Sequence, residues 1–128
     1  MTQQPHILIV DDDPDLVEML SMKLQSEKMR VRTAYDGLEA WDRIKEERPD
    51  LVVLDVMMPR KNGYELCQEL KSNPDYETIK VILLTAVGSA VTSTSYTHKD
   101  GMTTLADDYV PKPVDMDRLV ELIKDYLN

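Results

Sequence analysis

His6-Ile-Leu-Ile-Val10 runs without a break into Asp11-Asp12-Asp13, and Pro14 follows at once. A short apolar run of this kind reads as a buried strand. Asp13 is suited to cap a helix and Pro14 to occupy its first turn. The pattern recurs along the chain. Leu51-Val-Val-Leu54 ends on Asp55, Lys80-Val-Ile-Leu-Leu84 ends on Thr85, and Tyr109-Val-Pro111 ends on Lys112, itself followed by Pro113. If these runs are neighbouring parallel strands, three carboxylates, a hydroxyl and an ammonium converge at one edge of one sheet. Open α/β sheets bind their ligands at that edge. Acids alone suit a cation; acids with a lysine and a hydroxyl suit a metal ion together with a phosphoryl group.

Between the runs the hydrophobic spacing changes period. Leu16, Met19, Leu20, Lys23 (through its stem) and Leu24 predict a helix from Pro14 to about Lys28. Arg30 to Ala34 alternates like a strand with Val31 and Thr33 on one side, and Asp36-Gly37 marks the turn out of it. Leu38, Ala40, Trp41 and Ile44 predict a second helix stopped by Pro49. Pro59 and Gly63 bound a loop, after which Tyr64, Leu66, Cys67 and Leu70 line a third helix ending near Asn73-Pro74. A last strand near 108–111 precedes a closing helix at 115–127 carrying Leu119, Leu122, Ile123 and Tyr126. Strand and helix thus alternate, which favours a parallel sheet covered by helices on both faces through right-handed crossovers. The stretch 87–105 departs from the pattern. It is rich in Ser and Thr, whose side chains compete for backbone hydrogen bonds, so a short or displaced helix is expected there.

The 128 residues fit one domain with one core, with residues 1–5 as a short tail. At 42% hydrophobic and 30% charged the profile is globular. A net charge of −9 argues against a nucleic-acid surface or an anionic membrane surface, since both call for clustered Lys and Arg. The apolar runs are too short to span a bilayer, and Met1-Thr-Gln-Gln-Pro5 lacks the character of a signal peptide. The single Cys67 can form no internal disulfide, which fits a cytoplasmic protein. Cys67 reads as a core thiol, Trp41 as a cover for the sheet and the eight methionines mostly as core filler. His6 and His98 lack the spacing of a metal site.

Taken together, Ile-Leu-Ile-Val-Asp-Asp-Asp at 7–13, Leu-Asp-Val-Met-Met-Pro at 54–59 with Gly63, Leu-Thr-Ala at 84–86 and Asp-Asp-Tyr-Val-Pro-Lys-Pro at 107–113 resemble the receiver domain of two-component response regulators. The match covers almost the whole chain, so a single, stand-alone receiver domain is expected. The resemblance implies a flavodoxin-like (βα)5 fold, a doubly wound five-stranded parallel sheet in the order 2-1-3-4-5. It implies that Asp55 accepts a phosphoryl group from a sensor histidine kinase or a histidine phosphotransfer protein. Ending the most apolar strand, Asp55 is also the best nucleophile on physical grounds, and an acyl phosphate is an established covalent route. Asp12 would ligate Mg2+ (or Mn2+ in its place) directly and Asp11 through water, with Asp55 and the Met57 carbonyl completing the protein ligands. Carboxylates about 4 Å apart repel by roughly 4 kcal/mol at an effective dielectric of 20. A divalent cation removes that conflict. Lys112 would meet the phosphoryl oxygens and pair with Asp55 without them, and Pro113 is the candidate for a cis peptide. Thr85 would bond the phosphoryl group, Ala86 would leave access, and Tyr109 matches the family's aromatic switch.

Two departures from the family stand out. Thr85 and Lys112 are 27 positions apart, several more than usual, and Leu105 holds the place of a glycine. The family signals to its partners through the face that includes this region, so an altered output surface over 87–112 is expected. Met57 and Val87 are both apolar where the family can carry residues that orient an attacking water, so self-dephosphorylation is expected to be slow. Other readings are a binding module of the same fold that works without phosphate, a small phosphohydrolase, and a flavodoxin-type electron carrier. The full set of acids, Thr85 and Lys112 disfavours the first. The absence of a cap domain or general acid in the sequence disfavours the second, and three aspartates where FMN phosphate needs donors disfavour the third.

Overall fold

The computed structural model describes residues 4–58, 61–85 and 106–127. Ala86, the segment 87–105 with Val87, His98 and Leu105, and Pro59 lie outside the described residues. The strands are β1 (His6–Val10), β2 (Arg30–Ala34), β3 (Leu51–Asp55), β4 (Lys80–Thr85) and β5 (Asp108–Pro111). The described helices are α1 (Pro14–Ser26), α2 (Gly37–Glu46), α3 (Gly63–Lys71) and α4 (Met116–Leu127). All strand pairs are parallel, in the order β2-β1-β3-β4-β5. This is the predicted flavodoxin-like order.

Side chains along a strand alternate between faces, and that alternation builds two cores. Ile7, Ile9, Leu51, Val53, Ile82, Leu84 and Val110 face α1 and α4, where Val17, Leu20, Leu119 and Ile123 meet them. Leu8, Val10, Val52, Leu54, Val81 and Leu83 face α2 and α3, where Ala40, Ile44, Leu66, Cys67 and Leu70 meet them. β1 and β3 are buried at every position, as strands covered on both faces must be. β2 and β5 are the edge strands, and in β2 only Ala34 is fully buried.

Local chemistry sets the ends of the helices. Asp13 caps α1 by accepting from the Asp15 and Leu16 amides, and Pro14 stands in its first turn. Asp36 caps α2 through the Glu39 amide at 2.8 Å, so Asp36-Gly37 starts the helix as well as turning the chain. Asn62 and Glu65 form a reciprocal capping box on α3.

Two of the apolar residues at helical spacing face outward. Met19 is 55% exposed and Leu38 is 46% exposed. On α1 the inward stripe is Val17, Leu20 and Leu24, which turns Met19 away from the sheet. Leu38 stands at the start of α2, off the Ala40–Ile44 stripe. Trp41 is partly buried against the α2–α3 core, and its ring meets Tyr76 edge-on at 5.2 Å between centroids. His6 is buried at the start of β1, where burial and then Arg30 hold its imidazole below the usual value.

A polar knot fastens the entry of β5. Asp107 Oδ2 accepts from the Val81 amide at 2.8 Å and pairs with Lys71 Nζ at 2.9 Å. Lys71 also donates to the Ile79 carbonyl at 2.7 Å, and Tyr126 donates to the Asp107 carbonyl at 2.7 Å. The knot ties the end of α3, the start of β4 and the end of α4 to the entry of β5. Replacing Asp107 with alanine strands a half-buried ammonium and an amide together. Asp107→Ala is expected to lower stability by about 1–3 kcal/mol, read from the urea midpoint. A loss too small to measure contradicts the assignment.

Candidate functional site

Strand alternation decides which predicted site residues meet. Asp11 continues the face of Ile7 and Ile9, Asp55 that of Leu51 and Val53, and Lys112 that of Val110. All three therefore stand at the carboxyl edge of the sheet on the α1–α4 side. Lys112 Nζ lies 2.9 Å from Asp11 Oδ2 and 3.3 Å from Asp55 Oδ1. Asp12 is exposed, yet one oxygen from each of Asp11, Asp12 and Asp55 falls within 4.8 Å of the others.

Thr85 follows the opposite parity, with Val81 and Leu83 on the α2–α3 side. Tyr109 packs against that same core. Thr85 therefore ends the expected strand, at a position whose alternation faces α2 and α3. Its backbone still serves the site, because the Thr85 carbonyl accepts the Lys112 amide at 2.6 Å. That bond extends the β4–β5 ladder to the lysine. The Lys112–Pro113 peptide is cis.

Asp11 has no exposed surface and Asp55 only 4%. Asp11 Oδ1 accepts the Asp13 amide at 3.0 Å and holds the acidic loop in place. Asp11 Oδ2 is close to Lys112 but out of hydrogen-bond alignment with it, which leaves a buried oxygen unsatisfied. Burial, and then the charge of Asp11, push the Asp55 carboxyl up to about 6 against the pull of Lys112. Burial works against the charged Lys112, but contact with Asp11 and the charge of Asp55 outweigh it and raise its pKa. Two carboxylates, one ammonium and an unsatisfied buried oxygen make a site short of positive charge. Hard oxygen donors in this number fit a divalent cation.

Residues 7–124 match the model of the response regulator receiver domain. The chain belongs to that family. The receiver domain is 41% identical over 114 residues to response regulator MprA of Mycobacterium avium, a match covering 89% of this chain and 47% of that one. The chain thus spans about half the length of the curated relatives it matches. It is also similar to the signal receiver domain of a signal transduction histidine kinase from Syntrophus aciditrophicus. That structure has 36% identity and a TM-score of 0.82, over 96% of this chain and 89% of the other. The chemotaxis response regulator CheY4 of Vibrio cholerae, at 24% identity, shares the fold with a TM-score of 0.84 over 97% of this chain and 99% of that one.

Gly63 is the site residue whose purpose the sequence left unread beyond marking a loop end. A Cβ there would collide with the Asp55 carbonyl oxygen and come within 3.0 Å of the Asp55 carbonyl carbon and Val56 Cα. Its amide donates to the Val56 carbonyl at 3.0 Å. Only a glycine lets α3 start this close beneath the acid-bearing strand end. No local pattern reveals that contact, because it joins residues across a folded loop.

The raised pKa of Asp55 has a consequence for stability. A group raised on folding contributes stability that is full below its unfolded value, near the ordinary 3.8, and lost as pH rises through about 6. Above about 6 the metal-free fold carries a buried charge it disfavours. Asp55→Asn removes that charge and leaves Lys112 paired with Asp11. The variant is expected to be more stable than the parent by about 1–3 kcal/mol at neutral pH in chelator. The gap closes toward roughly pH 4. Urea unfolding at both pH values checks this, and a variant less stable at neutral pH contradicts it.

Proposed function

We propose that this receiver domain takes a phosphoryl group onto Asp55 from a histidine kinase or a histidine phosphotransfer protein. The observation that carries the reading is the buried Asp55 carboxylate beside Asp11 and Lys112, at the edge of the sheet where a solvent-facing Asp12 completes the acidic cluster. An Asp55 oxygen forms the new bond to phosphorus as the phosphorus–nitrogen bond to the donor imidazole breaks. The electron pair of that bond leaves with the imidazole. Above about pH 6 the Asp55 carboxylate is ionised and able to attack.

The metal we assign to the cluster is Mg2+, with Mn2+ as a substitute. Asp12 and Asp55 would hold it directly, the Met57 carbonyl would complete the protein ligands, and Asp11 would act through water. Because Asp11 Oδ2 already faces Lys112, the exposed Asp12 is the better direct ligand. The metal would neutralise the crowded oxygens around the transferring group. Lys112 would stabilise the added charge. Thr85, Ala86 and Tyr109 would carry the change to the 87–112 surface, where a downstream protein would read it. In this reading residues 1–128 act as a single cytoplasmic receiver domain, without direct nucleic-acid or membrane contact.

Intact mass after incubation with acetyl phosphate, with and without Mg2+, tests the proposal. We expect a phosphoryl adduct that requires Mg2+ and that Asp55→Asn lacks. No adduct, even with a donor kinase, would favour a binding module of the same fold that works without phosphate. The apolar Met57 and Val87 predict slow loss of the group from Asp55. Loss of the adduct followed after removing the donor should take minutes or longer, and decay within seconds contradicts this assignment.

A further inference from the structure

We infer that His6 is an acid-sensitive latch at the amino edge of the sheet, opposite the acidic cluster: its uncharged ring fits the fold, and a proton taken up there works against the fold. His6 opens β1, a strand buried at every position, and is itself 6% exposed. By strand alternation it faces the α2–α3 side with Leu8 and Val10. Among the described residues, neither Nδ1 nor Nε2 has a hydrogen-bond partner. A neutral imidazole carries one donor and one acceptor, whereas the charged ring carries two donors and a full charge. Buried without a partner, the charged ring is by far the costlier of the two.

The backbone holds the ring in place. The His6 amide donates to Asp50 Oδ2 at 2.7 Å, and the Asp50 amide donates to the His6 carbonyl at 2.8 Å. On the other side the Arg30 amide donates to the Pro5 carbonyl at 2.8 Å, and Arg30 is the register partner of His6. The start of β1 is thus fastened to both β3 and β2. The charged groups around it give an added proton little support. β2 contributes Arg30 and Arg32, the end of α2 and the residues after it contribute Glu46, Glu47 and Arg48, and the start of β3 contributes Asp50. Each of these acids is already engaged: Glu47 by both terminal nitrogens of Arg30, Glu46 by Arg32 Nη2 at 2.6 Å, and Asp50 by the His6 amide. The Arg48 guanidinium is turned to Thr78. Burial, and then Arg30, hold the imidazole below its ordinary value; Glu47 and the Arg48 backbone oppose them, and Arg32 adds to the lowering. A group lowered on folding contributes stability that is full above its unfolded value, near 6.5, and lost as pH falls below it.

Asp55 titrates in the same range with the opposite sign, so the test is made where that titration is absent. Urea unfolding of Asp55→Asn is compared with that of His6→Phe/Asp55→Asn at about pH 7.5 and about pH 5.5. Phenylalanine keeps a buried ring and cannot take a proton. Contributions from the other acids and from His98 are common to both proteins and cancel. One proton changes the unfolding constant by at most about tenfold per pH unit. On acidification the constant of Asp55→Asn should rise about three- to tenfold more than that of the double variant. Equal rises in the two proteins overturn the inference. A second measurement, on the parent protein, covers the case in which His6→Phe does not fold. The ring resonances of His6 should stay at their neutral positions at about pH 6.5, where an ordinary imidazole is half charged. A His6 ring already half charged at that pH in the folded protein overturns the inference.

Discussion

Lys112 stands between two buried carboxylates, and much of the site depends on that placement. Asp11 and Asp55 would repel each other strongly at the edge of an apolar sheet without it. One ammonium, 2.9 Å from one acid and 3.3 Å from the other, offsets part of the repulsion. The offset is incomplete: Asp55 still titrates near 6, and one oxygen of Asp11 still lacks an aligned donor. Such a cluster is kept apart from full satisfaction, and it can gain from a bound cation or a changed anion. A fully neutralised core pair would have no such capacity.

The placement of Lys112 is in turn a matter of ladder and parity. The Thr85 carbonyl holds the Lys112 amide, and β5 is held at its entry by Asp107, Lys71 and Tyr126. Each strand end contributes a residue whose face is decided by a two-residue period. A register slip of one residue in β5 would turn Lys112 to the α2–α3 side and leave both acids unpaired. The same period places Thr85 and Tyr109 together on the α2–α3 side. The described site thus has two halves: acids and lysine toward α1 and α4, Thr85 and Tyr109 toward α2 and α3. The carboxyl edge of β4 is where they adjoin.

Spacing between elements is set by the absence of side chains at two glycines. Gly63 lets α3 begin against the Asp55 peptide, and Gly37 lets the loop after β3 lie against α2. These close approaches need no unusual backbone angle. They bring backbone next to backbone, which any Cβ would prevent.

The apolar runs, their alternation with helical spacing, and the residues that end each run were all legible along the chain. Strand type and strand-end chemistry are local properties: β-branched runs bury, and an acid or lysine at the end of a run stays at the edge. Asp13 as a cap was legible for the same reason. The order of the strands came from resemblance and is matched by the fold. Helical spacing alone does not show that Met19 and Leu38 face outward, because a stripe is chosen by the sheet it meets and neighbouring apolar residues offer more than one. The knot at Asp107, the contacts of Gly63 and Gly37, and the pairing of Lys112 with Asp11 join residues far apart in sequence. Only the tertiary structure decides such contacts, because they follow from register and from distances between packed elements, and neither is written in local spacing.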